Sequence, residues 1–178
     1  MGAHAFAVPR SIRYRAIDAF AYDELGWVLG EAAALTAETV PEPRAYRRSN
    51  ALDLLSRHPR LLSPAGEILE AAARARDARF IANWSSDTPI VANADECVTI
   101  VLFGAQGGVA VAPAIGFAEN IPVRAGRILV LAEGDSAAPL PGAGVGPAFV
   151  IRYERARRAE GADTPCDENA LWPSAWCC

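Results

Sequence analysis

From Phe80 onward the chain repeats one local pattern. Short runs of β-branched, aromatic and alanine residues follow one another, and glycine or proline interrupts the gaps. The runs are Phe80-Ile81-Ala82-Asn83-Trp84, Cys97 to Phe103, Val109-Ala110-Val111, Ile121-Pro122-Val123, Arg127 to Leu131 and Phe149 to Tyr153. The punctuation is Gly107-Gly108, Pro113, Gly116, Gly126, Gly134 and the stretch from Pro139 to Pro147. Strands this short bury an apolar face only by folding over one another. The spacing therefore predicts an antiparallel sandwich or barrel.

The first half reads differently. Ser11 to Ile17 alternates polar and apolar residues, as a half-buried strand does. Asp23 opens a predicted helix whose Leu25, Val28, Leu29, Ala32 and Leu35 fall on one stripe. Glu38 to Asn50 carries two prolines and reads as a loop. Ser63 as N-cap and Pro64 at the first helical position predict a second helix, fading near Arg79. Helices first and strands after them make the class α+β.

Composition removes several functions. A length of 178 residues suits one domain. All 17 basic residues are arginine, so Schiff-base catalysis and a P-loop lysine are excluded. Two histidines exclude a site of three imidazoles. A net charge of −4 argues against general nucleic-acid binding. The clusters Arg44/Arg47/Arg48 and Arg155/Arg157/Arg158 read as solvated faces. No run approaches a membrane span, and the N-terminus lacks a signal-peptide pattern, so a cytoplasmic location is expected. Cys97 on a predicted strand reads as a buried, inert thiol. Gly142 to Gly146 precedes a strand rather than a helix, which argues against a phosphate cradle.

Residues 157–178 form a distinct tail without strand or helix period. It holds Cys166, Trp172, Trp176, Cys177 and Cys178, three of the four cysteines and two of the four tryptophans. Thiolates from Cys166, Cys177 and Cys178 suit a soft ion such as Cu(I) or Zn²⁺. The same five residues suit a peptide presented to modifying enzymes.

The order strand, helix, loop, helix and many short strands resembles the prolyl-hydroxylase-like branch of the Fe(II)/2-oxoglutarate oxygenase superfamily. Arg13 to Phe20 followed by Asp23-Glu24-Leu25 resembles the family's opening strand and first helix. Val98 to Phe103 with Gly107-Gly108 resembles its central strand and the glycine pair after it. Val123 to Leu131 resembles the strand ahead of the distal histidine, and Val150-Ile151-Arg152-Tyr153 the closing strand. The resemblance implies a double-stranded β-helix (jelly-roll or cupin-like) over residues 1–156, with an N-terminal helical layer.

The family's chemistry needs a His-x-Asp pair and a later histidine around Fe(II). Ser85-Ser86-Asp87 and Asn93-Ala94-Asp95 occupy the expected interval and keep an aspartate without a histidine. No histidine occurs at Ser136 to Ala138, and no basic residue near Gly146, where the family binds 2-oxoglutarate. His4 and His58 read as exposed loop residues. Asp87, Asp95, Glu96 and Asp135 together form a carboxylate set suited to a hard cation such as Mg²⁺.

The expected function is accordingly a non-catalytic, degenerate oxygenase-like domain. It would serve as a binding or carrier module that displays its tail to modifying enzymes in a peptide natural-product pathway, or for metal capture. No cofactor, nucleic acid or membrane partner is expected on this reading. The alternative is a dioxygenase with an unconventional Fe(II) site, in which Asp87, Asp95 and Asp135 act and Arg152 binds 2-oxoglutarate.

Overall fold

The structure, a computed structural model, describes residues 15–26, 30, 47, 49–92, 97–142 and 145–156. Strand β1 (Arg15–Asp18) is followed by helical residues 22–26, helix α1 (Asn50–Ser56) and helix α2 (Pro59–Leu69). Eight strands come next: β2 (Ala73–Ile81), β3 (Ile90–Val91), β4 (Val98–Phe103), β5 (Gly107–Ala112), β6 (Glu119–Val123), β7 (Arg127–Leu131), β8 (Ser136–Pro139) and β9 (Ala148–Arg155). They build one five-stranded sheet, ordered β1-β7-β4-β9-β2, and one four-stranded sheet, ordered β3-β8-β5-β6. Every pairing is antiparallel. From β2 on the chain crosses between the sheets at each step, except at the β5–β6 hairpin. This winding is the double-stranded β-helix expected from the sequence.

The five-stranded sheet is covered on both faces, so all six residues of β4 are buried. Ile100, Leu102, Ile128, Val130, Phe149 and Ile151 point to one side, where Leu52 and Leu55 of α1 and Leu61 and Leu69 of α2 meet them. Val101, Phe103, Leu129, Leu131 and Val150 point to the other side and meet Val109 and Val111 of the second sheet. Each such side chain stabilises the fold by roughly 1.5–3 kcal/mol on burial. The Tyr153 hydroxyl donates to Ser56 O at 2.8 Å and ties α1 to the sheet.

The second helix starts and stops earlier than the sequence suggests. His58 is the N-cap and Pro59 holds the first turn, so Pro64 lies inside the helix. Glu70 adopts a left-handed conformation (φ 50°) and ends it. The segment Ala73 to Arg79, predicted as its last turns, instead pairs with β9. Alanine favours helices locally, and the long ladder to β9 overrides that preference. Helix α1, which the sequence reading did not name, begins at Asn50, the last residue of the predicted loop, with the Ser49 side chain accepting from Leu52 N. Of the predicted first strand and first helix, residues 11–14, 27–29 and 31–35 lie outside the described residues.

His58 is not a free loop residue. Its Nδ1 accepts from Arg60 N, and its ring meets the Phe20 ring edge-on at 5.1 Å. Burial, with help from the Arg60 charge, lowers its pKa below the ordinary histidine value. It stands on the helix side of the sheet, away from the space between the sheets.

Candidate functional site

Register places one transverse row of side chains at an end of the sandwich. Asp77 on β2 pairs with Arg152 on β9, Arg152 pairs with Thr99 on β4, and Thr99 pairs with Leu131 on β7. The same end carries Val91 and Ser136, which pair across β3 and β8, and Ala112 beyond them on β5. We refer to this end as the mouth of the barrel. A cavity of about 140 Å³ opens there, lined by Asp77, Arg79, Ile90, Val91, Thr99, Val150 and Arg152.

A β-bulge sets the polar row. Ala75 pairs with Tyr153 and Asp77 with Arg152, so Arg76 is the extra residue on β2. Regular pairing would set Arg76 opposite Arg152, two like charges; the bulge substitutes a carboxylate. Asp77 then receives two charge-assisted bonds, Arg152 Nε to Oδ1 at 2.8 Å and Arg152 Nη2 to Oδ2 at 2.7 Å. Thr99 is 1% exposed, and its Oγ1 has no hydrogen-bond partner among the described residues. Two arginines, Arg152 and Arg79, and one carboxylate, Asp77, line the cavity, a positive excess among its lining residues within an acidic protein. Such a lining suits a small carboxylate.

Below this row the space between the sheets is filled. Trp84 stacks on Phe103 with ring centroids 6.1 Å apart, and Val101, Val109, Val111 and Leu129 close around them. Trp84 Nε1 donates to Thr88 O at 2.8 Å, so the indole is satisfied in place. A ligand entering between the sheets would therefore stop at the mouth rather than pass down the barrel.

Of the carboxylates named from the sequence, the two described ones, Asp87 and Asp135, have different surroundings. Asp87 lies in an exposed turn, with Ser86 as its hydrogen-bond partner. Asp135 does reach the mouth and is 3% exposed. Its oxygens serve the backbone: Oδ1 accepts from Ala114 N at 3.0 Å and Oδ2 from Ala132 N at 2.9 Å. Asp95 and Glu96 lie outside the described residues, as do His4, Cys166, Trp172, Trp176, Cys177 and Cys178. Among the described residues no three His, Cys, Asp or Glu side chains converge on a metal position. The described residues thus fit a carboxylate ligand and do not supply a metal-ligand set. Cys97 is buried, and an Arg76 Nη1 donor stands 3.5 Å from its sulfur.

Sequence reasoning named Arg152 but missed Asp77, Arg79 and Thr99. In the sequence Arg79 reads as the end of a helix, and Thr99 as one more strand residue. The available signal was the alternation in Ala73-Arg74-Ala75-Arg76, which has a strand's period as far as the bulge.

No family model matches the chain, and no curated protein sequence does. Solved structures match its fold. HygX from Streptomyces hygroscopicus with nickel and 2-oxoglutarate bound is 13% identical, with a TM-score of 0.63 over 81% of this chain and 82% of that one. The non-heme α-ketoglutarate-dependent epimerase SnoN from nogalamycin biosynthesis is 15% identical, with a TM-score of 0.62 over 80% and 78%. The nickel complex of the non-heme monooxygenase ThoJ is 14% identical, with a TM-score of 0.57 over 81% and 74%. The fold is that of Fe/2-oxoglutarate-dependent oxygenases.

These structures correct one expectation. The sequence reading assigned the barrel no cofactor. HygX is also solved with iron, and SnoN with Fe³⁺ and α-ketoglutarate, so this is a fold that holds a metal and 2-oxoglutarate. Among the described residues no helix is long and apolar enough to cross a membrane.

Proposed function

We propose that the chain acts at the mouth of its barrel as an Fe(II)/2-oxoglutarate-type oxygenase whose metal site departs from the His-x-Asp and distal-His pattern. The observation that carries this reading is the cavity itself. A partly buried guanidinium, a second guanidinium and an unpaired buried hydroxyl face one small space in an oxygenase fold. The fold likeness favours this alternative over the non-catalytic carrier.

In this reading Arg152 and Arg79 hold the carboxylate of 2-oxoglutarate, and the Thr99 hydroxyl donates a further bond to it. Asp77 fixes the plane of the Arg152 guanidinium. The filled barrel below excludes water from the inner side of the ligand. Iron, when bound, would supply dioxygen activation. Asp95 is the candidate carboxylate for it.

The test is anaerobic loading of the full chain with Fe(II) and 2-oxoglutarate, followed by exposure to air. Fe(II)-dependent consumption of 2-oxoglutarate that falls at least about tenfold in Arg152→Ala supports the reading. Consumption equal to a protein-free control overturns it.

A further inference from the structure

The mouth already contains a carboxylate in the place where a ligand's carboxylate would bind Arg152. We infer that Asp77 is a built-in competitor that sets which anions the cavity accepts, an inference that rests on the carboxylate-binding reading above.

Three observations converge on it. First, Asp77 occupies the Nε and Nη2 edge of Arg152 in bidentate fashion, leaving the Nη1 side for a ligand. A ligand carboxylate must either displace Asp77 or take the end-on Nη1/Nη2 edge, with the Asp77 charge beside it. Second, the placement is specific: only the bulge at Arg76 brings Asp77 opposite Arg152. Such bulges re-aim side chains beside functional sites. Third, the pair is half-enclosed, with the Asp77 side chain 14% exposed and that of Arg152 34% exposed. A charge there is weakly screened and bears on any neighbour in the cavity.

The consequence is selection by ligand charge. With Asp77 ionised, the charged residues that line the cavity, Arg79, Arg152 and Asp77, sum to one positive charge. A monoanion balances it, and the second charge of a dianion is repelled. Thr99 works in the opposite sense. Its buried, unpaired hydroxyl gains a partner only when a ligand enters, so it rewards occupancy whatever the ligand's charge.

The experiment titrates intact, metal-free protein with two probes, 2-oxoglutarate as the dianion and pyruvate as the monoanion, by calorimetry. Metal-free titration separates this inference from oxygenase turnover. In Asp77→Asn the amide keeps the size of the side chain and an acceptor for Arg152, while the charge is gone. The 2-oxoglutarate affinity is expected to rise about tenfold or more, by more than that of pyruvate, and the gain to shrink as salt is added. In Thr99→Val both affinities fall, with their ratio unchanged.

If wild type binds 2-oxoglutarate and Asp77→Asn binds it equally or more weakly, Asp77 only positions Arg152 and the inference is overturned. An equal gain for both probes overturns charge selection as well. Silence of wild type and Asp77→Asn toward both probes overturns the carboxylate site and the inference together. A circular-dichroism melt of each variant shows whether it is folded. Should Asp77→Asn fail to fold, Asp77→Ser carries the same comparison.

Discussion

Asp135 and Ala114 are 21 residues apart in sequence, yet the Asp135 carboxylate accepts the Ala114 N–H at 3.0 Å. Its other oxygen accepts the Ala132 N–H, and its own carbonyl accepts from Ala92 N. One buried side chain thus clamps the loop after β5 to the loop after β7, with the end of β3 held alongside.

This geometry makes Asp135 structural. Asp135→Ala leaves two backbone donors without partners, and the domain should lose about 3 kcal/mol. Urea unfolding followed by circular dichroism reads the loss. A metal ligand would behave in the opposite way, with metal uptake abolished at unchanged stability.

Thr99→Val should stabilise the protein. Valine fills nearly the same volume and removes a buried hydroxyl that has no partner. The expected gain is about 1 kcal/mol, seen as a higher urea midpoint at unchanged slope. A fall in stability would show that the hydroxyl is satisfied in solution.

Gly126 is fixed by contact as well as by conformation. Its φ is +85°, and a Cβ there would stand 1.9 Å from Phe20 O. Gly126 O also accepts from Ala19 N and Phe20 N, so the chain cannot retreat without losing both bonds. Gly126→Ala is expected to cost about 3 kcal/mol or more, read in the same unfolding experiment.

Asp18 on β1 carries a pH dependence. Hydrogen bonds from Arg127 and Arg124 hold its carboxyl well below the ordinary value of 3.8. A depressed folded-state pKa stabilises the fold above the unfolded value, and the contribution fades as pH falls toward the folded value. The melting temperature of wild type should therefore exceed that of Asp18→Asn by a constant margin from pH 5 to 7. Below about pH 4 the margin should narrow, and added salt should shrink it throughout. A margin that widens in acid would contradict the assignment.

The strands with strong apolar runs were legible in the sequence. Val98 to Phe103 and Arg127 to Leu131 emerge as β4 and β7, since β-branched runs bounded by glycine have few other outcomes. Strand β3 has two residues and β8 four, rich in alanine and proline, and nothing local marks either. They exist because neighbouring strands offer partners. The site was legible only at Arg152. Asp77 faces it because of a one-residue bulge, and a bulge leaves no periodicity to read. That the chain has only two histidines was plain from the start, but this count said nothing about the cavity at Arg152.

The stacked pair Trp84 and Phe103 has a consequence for ligand size. Because the barrel is stoppered from below, the proposed recognition is confined to a single row of side chains at the rim. A molecule need offer only one small acidic group to that row, and the rest of it stays outside. Bulk is thereby decoupled from fit: a free metabolite and an acidic side chain on a much larger body would present the same handle.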